Sequence, residues 1–193
     1  QYAYAYNSSF QLQSTTLTSG ADTVTTLLTR DNDGLLTGVG PFTYARAGPA
    51  GAPSQIGDGT VVVAFGYDTL GRIQNRTHTV GGVQKFAVQV TRDNVGRIAT
   101  KVETTAGVPV TWAYTYDADS QLTEVRRAGI LVEQYAYDVN RNRSSRQIGT
   151  DPVQPSTYDA QDRLILRNGE ANQFNADGYL AKTRGDELPN APG

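Results

Sequence analysis

The sequence predicts an all-β chain, an antiparallel meander of β-hairpins, and three observations carry the prediction. A seven-residue unit of aromatic, acid and turn recurs along its whole length. A second class of turn falls midway between its copies. The residues in between alternate with period two, and no segment shows a convincing helical period.

In chain order, the unit first reads Tyr6-Asn7 through Leu12 and Arg30-Asp31 through Leu36. It is complete at Tyr67-Asp68-Thr69-Leu70-Gly71-Arg72-Ile73, and Arg92-Asp93-Asn94-Val95-Gly96-Arg97-Ile98 follows. Tyr116-Asp117 through Leu122, Tyr137-Asp138 through Arg143, Tyr158-Asp159 through Leu164 and Phe174-Asn175 through Leu180 complete the set. With the acid or amide as position zero, the steps between copies are 24, 37, 25, 24, 21, 21 and 16 residues, the period of one hairpin. Asp or Asn at the first position of a type I turn caps the backbone with its own side chain, and Gly three residues on takes the left-handed conformation. A type I turn closed by such a residue is the three-residue hairpin with a bulge. The aromatic before the turn suits a pleated, half-buried surface, and the aliphatic at plus five restarts the next strand.

The midway turns are Ser19-Gly20, Gly81-Gly82, Ala106-Gly107, Ala128-Gly129 and Asn168-Gly169. Gly-Gly and Asn-Gly are strong hairpin signals; Ser-Gly and Ala-Gly are weaker ones. Between turns, Val108, Val110, Trp112, Tyr114 and Tyr116 share one strand face, and Phe86, Val88 and Val90 do the same one unit earlier. From Gly38 to Thr60, Pro and Gly content predicts an irregular insertion with a short strand at Phe42-Thr43-Tyr44. The expected organisation is a hairpin array over 1–180 and a polar tail over 181–193.

The chain of 193 residues opens on Gln1 and contains no Met, which reads as a processed or excised piece of a longer protein. It is long enough for one all-β unit with a core if the sheet curls onto something. Without cysteine there is no disulfide or thiol chemistry. No apolar run approaches the roughly 18 residues of a membrane helix, so no membrane insertion by this segment is expected. A net charge of −2 gives no electrostatic case for nucleic acid.

The recurring Tyr-Asp-x-x-Gly-Arg-Ile/Leu unit resembles the YD repeats of Rhs proteins, of the C component of Tc insecticidal toxins, and of teneurins. The resemblance spans Tyr2 to about Leu180. It implies a curved or spiralling strip of hairpins forming part of a hollow shell, which in the toxins encloses a C-terminal effector and in teneurins is an extracellular scaffold. It further implies a secreted or cell-surface location, with a bacterial source expected. The partners implied are the rest of the parent chain, with further YD repeats and an enclosed toxin domain. The Rhs core with its Asp-Pro-x-Gly signature is missing; Asp151-Pro152-Val153-Gln154 shares only the dipeptide, and no cleavage role is assigned to it.

The expected residues are therefore structural: Tyr67, Asp68, Gly71, Ile73, Asp93, Gly96, Ile98, Tyr116, Asp117, Leu122, Tyr137, Asp138, Tyr158, Asp159 and Leu164. No catalytic residue, metal ligand or cofactor is expected. His78, the only histidine, sits in Thr77-His78-Thr79 and reads as a surface residue. Asp31-Asn32-Asp33-Gly34 looks like a calcium loop, but the repeat turn explains it better. Arg141, Arg143 and Arg146 read as a solvated corner, and Arg184-Gly185-Asp186 as a chance triplet. Asn7, Asn75 and Asn142 open glycosylation sequons by pattern. An alternative function is a carbohydrate-binding or adhesive module, using the loop at 38–60 or the aromatic face. Trp112, Tyr114 and Tyr135 are its candidate stacking residues, beside Tyr116 and Tyr137. The competing reading is that these rings pack between neighbouring hairpins.

Overall fold

In a computed structural model, which describes residues 1–183 and 186–187, the chain is strand after strand. β1 (Tyr2–Tyr6), β2 (Leu12–Ser19), β3 (Asp22–Arg30), β4 (Leu36–Val39) and β5 (Phe42–Ala45) come first. A 3-10 turn at Pro49–Gly51 precedes β6 (Gln55–Gly57), β7 (Val61–Tyr67), β8 (Ile73–Val80), β9 (Val83–Arg92) and β10 (Ile98–Thr105). Then follow β11 (Val108–Tyr116), β12 (Leu122–Arg127), β13 (Ile130–Tyr137), β14 (Arg143–Ile148) and β15 (Gln154–Tyr158). β16 (Leu164–Arg167), β17 (Glu170–Ala171), β18 (Gln173–Phe174), β19 (Leu180–Thr183) and β20 (Asp186–Glu187) complete the order. The first seventeen belong to one sheet, and β18 to β20 form another. Strand pairing is antiparallel and sequential, as a meander requires.

The chain divides into two compact units, Gln1–Thr91 with Lys101–Val110 and Arg92–Thr100 with Thr111–Gly193. In the first unit the register separates two kinds of face. Val61↔Val80, Val63↔His78↔Phe86 and Phe65↔Arg76↔Val88 place apolar residues together on the side of Tyr67. The other side carries Ala64↔Thr77↔Ala87, Gly66↔Asn75↔Gln89 and Thr79↔Gln84. The same division holds at β1 to β3. Tyr2, Leu17 and Val24 are aligned on one face, and Ala3, Thr16 and Thr25 on the other. There Thr16 bonds Thr25 at 3.0 Å and Thr18 bonds Thr23 at 3.3 Å. In the second unit, Trp112↔Arg127, Tyr114↔Val125↔Glu133 and Tyr135↔Arg146 again gather rings and guanidiniums on one side. Ala136↔Ser145↔Pro155 lie on the opposite one.

Little of this is core. Among the described residues only Val90 (9% exposed) and Val125 (8%) are buried hydrophobics, and no polar side chain is buried. The chain exposes 12811 Å², against about 8,900 Å² expected for a compact monomer of its mass. The expectation of a core formed by the sheet curling onto something is thus not met within these residues.

Two boundaries differ from those read in the sequence. The Gly/Pro-rich stretch over 38–60 contains the expected short strand at Phe42-Thr43-Tyr44, within β5, and further strand residues beside it. It holds the end of β4, all of β5 and β6, and only residues 46–54 between them are irregular. β5 pairs with both β4 and β6, and β6 with β7, so the stretch inserts further strands of the same meander. Prolines and glycines masked β6 because they cluster in the turns. The polar tail expected from 181 begins inside β19, since Leu180 and Lys182 pair with Phe174 and Gln173. Of the Arg184-Gly185-Asp186 triplet, the first two residues lie outside the described residues.

Candidate functional site: the repeated corner

All eight corners share one hydrogen-bond pattern. At Asp68 the backbone N–H donates to the Arg72 carbonyl (2.9 Å), and the Gly71 N–H donates to the Asp68 carbonyl (3.0 Å). Asp68 Oδ1 accepts from the N–H groups of Leu70 (2.9 Å) and Arg72 (3.0 Å). The same two backbone bonds recur at Asn7, Asp31, Asp93, Asp117, Asp138, Asp159 and Asn175. At every corner the side-chain Oδ1 accepts from the N–H at plus four. Asp and Asn are interchangeable here because both present that oxygen.

Position plus three has positive φ at every corner, from 59° at Phe10 to 92° at Gly96. Glycine enters this region freely; Phe10, Ser120 (67°), Arg141 (72°) and Asp162 (60°) do so at a cost of roughly 1–2 kcal/mol each. Three of these four reach toward the preceding corner. Ser120 Oγ accepts from Arg97 Nη1 (3.0 Å), and Arg141 Nη2 contacts Asp119 Oδ1 (3.4 Å). Asp162 Oδ1 accepts from Asn140 Nδ2 (2.9 Å) and Asn142 Nδ2 (2.7 Å). Each departure from glycine at these three places therefore gains a tie between corners.

The aromatic before the acid makes a second tie. The register shifts by a bulge there, so that Tyr67 faces Ile73, Tyr116 faces Leu122, and Tyr158 faces Leu164. The hydroxyls of Tyr116, Tyr137 and Tyr158 donate to the carbonyls of Ile98 (2.9 Å), Leu122 (2.9 Å) and Arg143 (3.1 Å). Each acceptor is the plus-five residue of the preceding copy. In the last copy Phe174 has no hydroxyl, and Asn172 Nδ2 bonds the Leu164 carbonyl instead (3.0 Å). After the Asp31 corner the equivalent Leu36 carbonyl accepts from Arg46 Nε (2.5 Å), while Tyr67 donates to Pro53 (2.6 Å). Burial raises the phenol pKa of Tyr116 and Tyr137.

The arginine at plus four, assigned no role from sequence, performs two. Arg72, Arg97 and Arg163 pair through Nε with the second oxygen of their own acid at 2.8, 2.6 and 2.7 Å. Arg97 and Arg163 also lie 4.7 and 4.8 Å from the ring centres of the next copy's aromatic, Tyr116 and Phe174. Gln121 and Asn142 replace the guanidinium by amide bonds to Asp117 (2.9 Å) and Asp138 (3.2 Å). Where Arg precedes the acid, its Nη1 folds back onto the Gly carbonyl at plus three, from Arg30 to Gly34 (2.9 Å) and from Arg92 to Gly96 (3.3 Å).

The candidate stacking rings are half-buried. Trp112 lies 5.7 Å from the Arg127 guanidinium, and Tyr135 lies 5.7 Å from that of Arg143. Tyr135 also donates to Glu133, which binds Arg146 at 2.9 Å. Glu133 is held below its ordinary value chiefly by that Tyr135 bond, with Arg146 assisting and partial burial opposing. Of the three arginines read as a solvated corner, Arg141 is exposed at plus three of its corner, whereas Arg143 and Arg146 are half-buried against Tyr135 and Glu133. Tyr114 is half-buried opposite Val125.

His78 does not read as a surface residue either. It is half-buried, edge-on to Phe86 at 5.6 Å and opposite Val63. Asp31 to Gly34 is a corner like the others, and no group of three metal-ligating side chains occurs among the described residues. Among the sequon asparagines, Asn7 and Asn142 use their side chains in corner bonds. Asn75 faces Gly66 across β7 and β8. No helix among the described residues is long and apolar enough to cross a membrane.

A meander whose corners repeat one bonding scheme defines a β-hairpin repeat protein of the YD type. Residues 1–188 match the family model of the Teneurin YD-shell, and the chain belongs to that family. It is similar to human Teneurin-4, 28% identical over 123 residues, covering 62% of this chain and 4% of that protein. It is also similar to mouse Teneurin-3, 29% identical over 126 residues, covering 63% and 5%. The chain thus spans only a small fraction of these relatives. Among solved structures it is similar to the TcdB2-TccC3-Cdc42 crystal structure, with a TM-score of 0.62, 12% identity and coverage of 93% of this chain and 10% of that one. A Photorhabdus luminescens Tc holotoxin pore with a TccC3 variant gives a TM-score of 0.61 at 13% identity, covering 94% and 10%. These two likenesses show the fold.

Proposed function

We propose that this chain is a non-enzymatic wall segment of a YD shell, in a secreted or cell-surface protein whose shell encloses a toxin-like domain or serves as a surface scaffold. The observation that carries the reading is the tie from one corner to the one before, through the tyrosine hydroxyl and the plus-three side chain. Such bonds hold repeats to one another and leave their polar groups already engaged. The sugar-stacking alternative is disfavoured because Arg127 and Arg143 lie against Trp112 and Tyr135.

Limited proteolysis of the full parent chain tests the reading. The part of the chain that the shell encloses should resist protease in the intact protein. It should be digested faster in a Tyr137→Phe, Tyr158→Phe double variant. Equal digestion in both proteins, with no protected segment, would remove the enclosing role. A glycan screen in which binding is lost in Trp112→Ala would restore the carbohydrate reading.

A further inference from the structure

The corner at Asp31 departs from the other seven in a way that leaves a cleft. Position minus one is Arg30 where six copies have an aromatic ring, and position plus four is Leu35 where six of the other seven have a guanidinium or amide and the last has Tyr179. Asp31 Oδ1 caps the turn as usual, accepting from Asp33 (3.1 Å) and Leu35 (2.8 Å). Its Oδ2, occupied at Asp68, Asp93, Asp117, Asp138 and Asp159, accepts nothing here. Arg30 spends Nη1 on the Gly34 carbonyl (2.9 Å); its Nε lacks an acceptor but is shielded out of a ligand's reach, so the donor it can offer is the unbonded Nη2. Both residues line an open cleft of about 340 Å³ with Asn7, Gln11, Gln13 and Leu12.

We propose that this cleft is a binding site for a neutral ligand with vicinal hydroxyls, such as a single pyranose unit. The unspent groups at the cleft are Asp31 Oδ2, which takes a donor, and Arg30 Nη2, which takes an acceptor. An anion would meet Asp31 and a cation would meet Arg30; adjacent hydroxyls satisfy both at once. The amides of Gln11 and Gln13 add donors and acceptors around them, and Leu12 and Leu28 supply an apolar floor for the C–H side of a ring. The site is independent of the wall reading and survives its failure.

The test is ligand-observed NMR on the chain with methyl α-glucopyranoside, methyl α-mannopyranoside and myo-inositol, with glycine as the zwitterionic control. At least one polyol should bind with Kd on the order of 1 mM, as a shallow open site allows. Arg30→Tyr restores the ring and fills the cleft. Asp31→Asn keeps the cap, as Asn7 and Asn175 do, but removes the carboxylate. Each should weaken binding at least about tenfold, with the folded state checked by the far-ultraviolet circular dichroism of both variants. The absence of polyol binding, binding unchanged in both variants, or equal binding of glycine would each overturn the proposal. Should either variant fail to fold, Leu35→Arg, which offers Asp31 the guanidinium it lacks, decides by the same criterion.

Discussion

A residue in the left-handed region needs either glycine or a reason, and this chain supplies both answers. Ala106 and Ala128 occupy it at φ 47° and 50° because a two-residue type I′ turn demands positive φ at both central positions, and no side-chain bond offsets the cost. Asp162 occupies it while accepting two amide bonds from the preceding corner. Ala128→Gly is therefore expected to stabilise the chain by up to about 1 kcal/mol. Asp162→Gly is expected to bring no gain, because the lost bonds offset the relieved strain; denaturant midpoints at constant m decide both. The corner acids make a second claim at this scale. Asp68 is held below 3.8 first by the backbone N–H of Arg72, then by its guanidinium. For Asp93 and Asp159 partial desolvation is the largest influence and raises the value, yet the bonds from Arg97 and Arg163 together bring it below 3.8. A depressed folded-state pKa contributes stability that is full above the unfolded value and is lost as pH falls through the folded one. Unfolding midpoints should hold above pH 3.8 and drop on further acidification, and Asp68→Asn, which keeps the cap, should flatten part of that slope.

Single hairpins show how side-chain size sets register. Gly66 faces Asn75 across β7 and β8, and a Cβ on Gly66 would lie 2.1 Å from Asn75 Oδ1. Gly66→Ala should cost less than about 1 kcal/mol, because the exposed Asn75 amide can turn away from the new methyl, and Asn75→Ala in the same chain should recover what remains. The hydroxyl ties are separable in the same way. Tyr158→Phe should cost about 0.5–1.5 kcal/mol, whereas Phe174→Tyr should gain nothing, since Asn172 already serves the Leu164 carbonyl. Much of this was legible beforehand. Asp or Asn at zero and the aromatic before it announced the corners, because turn chemistry acts within a few residues. What the ring's hydroxyl touches was not legible, since Ile98 and Tyr116 meet only across a completed hairpin. Within 38–60 the strand at Phe42-Thr43-Tyr44 was legible, but β6 was not, because Pro and Gly in the turns outweighed its brief alternation. The second role of Arg97 and Arg163 was in principle visible, as a plus-four arginine followed one unit later by an aromatic.

At the scale of the whole chain, stability rests on neighbours in sequence rather than on a shared interior. Only two buried hydrophobic residues among those described, and an excess of exposed surface, leave little for unfolding to expose. The guanidinium m-value should fall below that of a compact protein of equal length, and the transition should be broad, as expected of one-dimensional repeat arrays. A sharp transition with a full-sized m-value would show burial that the described residues do not supply. The exposed side chains of Tyr2 (67%), Tyr4 (59%) and Phe10 (89%) add a surface that should promote self-association at high concentration, measurable by sedimentation.

The direction of the corner ties has a bearing on synthesis. Tyr116 seeks Ile98, Tyr137 seeks Leu122, Tyr158 seeks Arg143, and Arg141 seeks Asp119. Each later residue finds its partner 15 to 22 residues upstream, in polypeptide that leaves the ribosome before it. A nascent chain can thus fasten each of these corners to one already formed, without waiting for anything still to be translated.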